Sequence, residues 1–360
     1  MVCAQERCHD GVVRPGRLPL LALALAACSD DPSLPADELL SAQGLFLGDG
    51  HTQEPAPGVV PFDVISPLFS DHTAKHRFLA IPDGAQIGYA PRDSWSFPVG
   101  TRLVKTFGYP LDARAPSLGE RLLETRILRL DADGWSVHTY AWNDTQTDAV
   151  LTVAGKRVPV EWIDENGALQ SIDYRLPNTN QCLACHGERG ATAPLGPRTL
   201  QLDRDHDYGD GPVNQLDHLA ALGLFTSALD AAGEREHLVD PADPAAGSVE
   251  LRARSYLEAN CAHCHRAGAP AESSGLILGW EEQEPVNLGV CRRPFSAGNG
   301  AGGRTYDLVP GEPDASIIVY RMESTAPDIK MPEMPTQLVD ARGVALIREW
   351  IAGMTPPGCE

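Results

Sequence analysis

Two five-residue stretches of one form set the tightest limit on what this chain can become: Cys182-Leu-Ala-Cys185-His186 and Cys261-Ala-His-Cys264-His265. C-x-x-C-H is the attachment signature of a c-type haem. Two thioethers fix the porphyrin through its vinyl groups, and the histidine after the second cysteine reaches the iron from the proximal side. A zinc site or a redox C-x-x-C also uses paired cysteines, but neither calls for a histidine at that place in both copies. The pattern therefore predicts two covalently bound haem c groups. Cys182, Cys185, Cys261 and Cys264 hold the rings, and His186 and His265 bind the irons.

The beginning of the chain fits export. A positive segment ends at Arg17, and residues 18–27 form an apolar run too short to span a bilayer but suited to a signal-peptide core. Leu25-Ala26-Ala27-Cys28 resembles the bacterial lipobox, in which Cys28 becomes the lipidated first residue of the mature chain. An ordinary signal peptide with a nearby cleavage site is the alternative. No later stretch is apolar enough to cross a membrane. The expected location is the periplasm or cell envelope, with membrane attachment through the N-terminal lipid. Cysteine usage agrees with an oxidising compartment: Cys3 and Cys8 fall in the leader, Cys28 takes lipid and four cysteines take haem. Cys291 and Cys359 are then left as a pair that can bridge, two free thiols being the alternative.

The formal charge is −20, and removing the leader scarcely changes it. Such a surface repels nucleic acid and anionic headgroups, so a basic redox partner is expected and nucleic acid is not.

The expected fold class is α+β and multidomain. Residues 28–58 read as a tether with one short helical turn around Leu39–Leu45. Residues 59–176 read as a β-sandwich or barrel-like domain. There Trp135–Trp142 alternates two faces after the turn Asp131-Ala-Asp-Gly134, with Arg121–Leu130 as its partner strand. Further strands are expected at Thr101–Tyr109, Ala149–Val153, Arg157–Ile163 and Ala168–Arg175. Residues 177–237 form a first haem module, with a helix over Asn214–Phe225. Residues 248–360 are expected to be an all-α, cytochrome c-like domain. Its first helix runs from a Ser248 cap to Asn260 with Leu251, Tyr256 and Leu257 inward, and its last from an Asp340 cap to Gly353. A helix entering C-x-x-C-H, with an apolar C-terminal helix across it, resembles class I cytochromes c.

The sixth iron ligand is readable for one site. Lys330-Met331-Pro-Glu-Met334-Pro resembles the distal-ligand loop of small cytochromes c, with Met331 preferred over Met334; a thioether raises the reduction potential. For the first site the candidates are His218, then His72 and His76, with His206 also near. An open sixth position is the further alternative, and it separates a catalyst from an electron relay.

Several stretches together resemble a family: 61–71 (Pro-Phe-Asp-Val-Ile-Ser-Pro-Leu-Phe-Ser-Asp), 97–101 (Phe-Pro-Val-Gly-Thr), 122–126 (Leu-Leu-Glu-Thr-Arg), 178–186 (Asn-Thr-Asn-Gln-Cys-Leu-Ala-Cys-His) and 214–216 (Asn-Gln-Leu). They are similar to secreted diheme c-type cytochromes of Gram-negative bacteria, often encoded beside a parallel β-helix-repeat protein. The likeness spans roughly residues 40–360, and where a tyrosine is expected after Ser70-Asp71 this chain has His72. It implies a haem-bearing carrier of single electrons between periplasmic redox partners. Two other functions stay open: a diheme oxidoreductase, such as a peroxidase or small-molecule dehydrogenase, with an open site at the first haem; and a haem-bearing binding module for the β-helix protein or a glycan.

Overall fold

The strand-rich stretch folds as a meander, each strand turning back beside its predecessor. In the computed structural model the described residues are 38–188, 191–295, 297–334 and 336–359. The expectations for the leader, for lipidation at Cys28 and for the first part of the tether lie outside them. Strands β1 (Val59–Phe62), β2 (Ala74–Ala80), β3 (Arg102–Pro110), β4 (Glu120–Asp131), β5 (Gly134–Trp142) and β6 (Ala149–Leu151) pair antiparallel in sequence order. The hairpin between β4 and β5 closes with Asp131 opposite Gly134. Gly134 has φ +117°, a conformation that glycine adopts without the steric cost of a Cβ.

The sheet is neither barrel nor sandwich. Its edge strands β1 and β6 are only four and three residues long and do not meet. The chain then leaves the sheet for a separate hairpin, β7 (Lys156–Ile163) and β8 (Leu169–Leu176). That hairpin packs Trp162, Tyr174 and Leu176 against Tyr109 and Leu123 of the sheet. Each face of the sheet has its own apolar cover. Leu40, Leu45 and Phe46 lie with Val104, Ile127 and Tyr140. Leu202, Leu216 and Leu219, from α2 (Thr199–Leu202) and α3 (Gln215–Ala221), lie with Leu79, Leu103 and Leu128.

The other helices are α1 (Thr179–His186), α4 (Val249–Asn260), α5 (Ile317–Met322) and α6 (Ala341–Ala352). Both caps expected around the last third of the chain are present. Ser248 accepts from the Leu251 amide, and Asp340 accepts from the Gly343 amide. Helix α6 buries Val344, Leu346, Ile347, Trp350 and Ile351 against Ala253, Tyr256 and Leu257 of α4. A Cβ at Gly343 would fall 2.3 Å from the Tyr256 ring, so only glycine permits this approach. Leu251, expected inward, is 42% exposed.

The expected all-α cytochrome-like domain is corrected. The architecture is dominated by the six-stranded antiparallel sheet, and the described residues from 248 onward hold three α-helices separated by long stretches of loop and 3₁₀ turn. This segment is also tied to the strand region. Ser66 Oγ donates to the Ser255 carbonyl at 2.9 Å, and the Phe69 amide donates to Asn260 Oδ1 at 2.7 Å. The Asp71 carboxylate accepts from the amides of Gln337 and Leu338, each at 2.8 Å. The described residues form one compact unit. Among the described residues no helix is long and apolar enough to cross a membrane.

Candidate functional site

Helix α1 begins with a reciprocal cap. Asn178 Oδ1 accepts from the Gln181 amide, and Gln181 Oε1 accepts from the Asn178 amide, both at 2.9 Å. This start places Cys182, Cys185 and His186 at positions i, i+3 and i+4, one face of a helix. That face lines a cavity of about 220 Å³ whose other walls include Leu103, Lys105 and Leu128 of the sheet and residues 195–198.

The second motif follows α4. Cys261 caps the helix, its amide donating to the Leu257 carbonyl at 2.9 Å. The amides of Cys264 and His265 then both return to the Cys261 carbonyl, at 3.1 and 3.0 Å, which winds the motif into a single turn. Burial pushes the Cys261 thiol up to about 12.

The two motif histidines are oriented alike. His186 Nδ1 lies 3.0 Å from the Ala193 carbonyl, which can only accept, so Nδ1 carries the proton and Nε2 is left as the basic nitrogen. His265 Nδ1 lies 3.0 Å from Ser274 Oγ. Burial lowers the pKa of both rings, that of His265 to about 4, so both are neutral near pH 7.

The motifs also meet. Cys264 Sγ donates to the Ala184 carbonyl at 3.3 Å, which sets its side chain against that of Cys185. This contact holds the Cys185 pKa down and drives that of Cys264 up. All four motif cysteines are unbridged, whereas Cys291 and Cys359 form a disulfide with their Cα atoms 5.3 Å apart.

No family model matches this chain, and neither does any curated protein or solved structure. The functional reading therefore rests on the residues alone. Among the described residues no group of three or more His, Cys, Asp and Glu side chains is placed to hold a metal ion.

The remaining candidates are scattered. Met331 lines a second, small cavity with Tyr256, Asn260 and Leu338, its amide donating to the Arg321 carbonyl at 3.0 Å. Met334 instead reaches the first cavity. His218 stacks on Tyr208 with centroids 3.6 Å apart, and His206 packs against the same ring. His72 meets Phe69 edge to face, and His76 Nε2 lies 2.9 Å from Glu120 Oε2. None of these four histidines lines the first cavity.

Sequence reasoning missed His263 and three basic residues of the sheet. His263 is 6% exposed, lines the first cavity and leaves Nδ1 without a partner among the described residues. Its place inside the second motif was the one available signal. Arg77, Lys105 and Arg126 also line the cavity, and only strand register brings them together.

Proposed function

We propose that the chain carries two covalently bound haem c groups and passes single electrons between redox partners. One group is held by Cys182 and Cys185 with His186 on its iron, the other by Cys261 and Cys264 with His265. The supporting observation is the placement of the two histidines: each Nδ1 lies 3.0 Å from an oxygen, the Ala193 carbonyl or the Ser274 hydroxyl, so Nε2 is the nitrogen left to face a metal. The donor set fits as well, because the four thiols are unbridged and both imidazoles are neutral. A porphyrin supplies four nitrogens of its own, so each site needs one protein histidine and no multi-residue cage.

When bound, haem supplies one-electron exchange between ferric and ferrous iron. The residues of this chain hold and position it. Ala193 and Ser274 fix the imidazole planes, the Asn178 cap fixes α1, and Met331 is the thioether assigned to the second site. The Met331 backbone is held by its amide, which donates to the Arg321 carbonyl. Attachment of this kind belongs to an exported protein, consistent with the apolar leader, and the acidic surface suits a basic partner met in a transient, salt-sensitive encounter.

The mass of the mature protein tests the proposal. Two haem increments are expected, one of them lost in Cys182→Ser/Cys185→Ser; a mass without any increment overturns it. The cavity beside His186 favours a second reading, an oxidoreductase whose first iron keeps an open position for a small molecule. Electron paramagnetic resonance of the ferric protein separates the two. Two low-spin signals support the relay, and a high-spin signal that disappears in Cys182→Ser/Cys185→Ser supports the enzyme.

A further inference from the structure

Two rows of side chains cross the cavity face of the sheet. The first is apolar: Val60, Leu79, Leu103, Leu128 and Val137 stand opposite one another from β1 to β5. In the next row Arg77 of β2 faces Lys105 of β3, and Lys105 faces Arg126 of β4. Like charges directly opposite one another destabilise a sheet. Three in succession, in a chain of net charge −20, are not explained by a solvated face.

Neighbouring carboxylates answer only part of this charge. Arg77 pairs with Asp63 at 2.7 Å, and Asp63 also serves Arg204 at 3.6 Å. Arg126 is held by Glu124 through two bonds, at 2.8 and 2.5 Å. Lys75, two residues before Arg77 on the same strand, adds a further amine and donates to the Thr73 carbonyl. Lys105 sits in the middle and has no hydrogen-bond acceptor among the described residues; its ammonium lies 4.9 Å from the centroid of the Phe107 ring. Burial, with Arg77 and Lys75 beside it, holds the Lys105 amine well below its ordinary pKa.

We propose that the row Arg77–Lys105–Arg126 is a carboxylate-binding wall, taking the acid groups of a molecule whose apolar body lies along the adjoining Leu103–Leu128–Val137 row. On the haem reading above, on which this assignment rests, those acids are the propionates of the group attached at Cys182 and Cys185. Arg126 stands at the Cys182 end of the row, within electrostatic reach of its thiol, and Lys105 acts on His186 in the same way. Arg77 lies at the far end, two strand spacings or about 10 Å away. The same chemistry suits a free dicarboxylate, and the experiment separates the two sources.

The test uses the full-length mature protein, its haem content first fixed by mass, with wild type compared to Lys105→Gln and Lys105→Arg. If propionates occupy the wall, Lys105→Gln lowers one of the two reduction potentials and leaves the other in place, while Lys105→Arg stays near wild type. If the source is a free acid, the potentials stay in place; succinate then binds wild type saturably, and Lys105→Gln weakens it on the order of tenfold. Unchanged potentials together with no saturable succinate binding overturn the wall. Protein that carries no haem removes the haem reading, and the succinate titration then decides the wall by itself. Should Lys105→Gln not fold, Arg77→Gln is read in the same way.

Discussion

The thiol of Cys264 donates to the Ala184 carbonyl at 3.3 Å, one residue before Cys185, so two C-x-x-C-H motifs far apart in sequence touch in space. In a chain made without cofactor, this contact sets up a competing reaction. Diamide, a two-electron oxidant, should convert the two thiols to a Cys185–Cys264 disulfide, each sulfur losing a proton and the diamide being reduced to its hydrazine. Peptide mapping of haem-free protein should recover that cross-link. Protein with both thioethers formed should not yield it, and absence of the cross-link in both forms would show that the sulfurs do not meet in solution.

The Asp71 carboxylate clamps the segment ahead of α6. Its two oxygens accept from the Gln337 and Leu338 amides, while its own carbonyl accepts from Tyr109 Oη. Asp71 has φ +52°, a region that asparagine tolerates equally well. Asp71→Asn therefore tests the charge and the second acceptor without a new backbone penalty. We expect a loss of roughly 1–3 kcal/mol in thermal or urea unfolding; wild-type stability would mean that the clamp contributes nothing.

Glu124 is completely buried and neutralises Arg126 while accepting from Tyr174 Oη at 2.6 Å. Glu124→Gln keeps the shape and leaves the guanidinium uncompensated. Breaking a buried pair in this way costs roughly 3–5 kcal/mol, measurable by denaturant titration. Tyr174→Phe removes only a neutral donor and should cost about 1 kcal/mol.

Asp307 predicts a pH dependence. Its side chain is buried, Oδ2 has no partner among the described residues, and burial raises its pKa to about 6 from the usual 3.8. The folded state thus holds the proton more tightly than the unfolded state. The contribution is present in full below about pH 4 and lost as pH rises through 6. Asp307→Asn should gain on wild type across that window, by on the order of 2–3 kcal/mol, and hold a constant advantage above it. A difference that stays flat from pH 4 to 7 would contradict the assignment.

What the sequence disclosed follows from which signals are local. The β4–β5 hairpin was legible because Trp135–Trp142 alternates and Asp131-Ala-Asp-Gly134 supplies the turn. The Ser248 and Asp340 caps were legible for the same reason. Strand β2, with Lys75, His76 and Arg77 before Phe78, carries too much charge to read as a strand, because Arg77 faces a cavity and His76 meets Glu120, neither of which periodicity reveals. The motif residues themselves stood out in the sequence. Their meeting at Cys185 and Cys264, the arrival of Met334 at the first cavity and the cationic row all depend on pairings between distant segments, which no local pattern encodes.

The Cys291–Cys359 bridge has an effect on how such a chain is made. It closes a 68-residue span that includes α5, Met331 and α6, and bonds of this kind form where thiols are oxidised. The same surroundings would act on the four motif cysteines, and six thiols admit fifteen complete pairings. The order of events then matters: whatever claims Cys182, Cys185, Cys261 and Cys264 has to arrive before the oxidant that staples the C-terminal end does its work upstream.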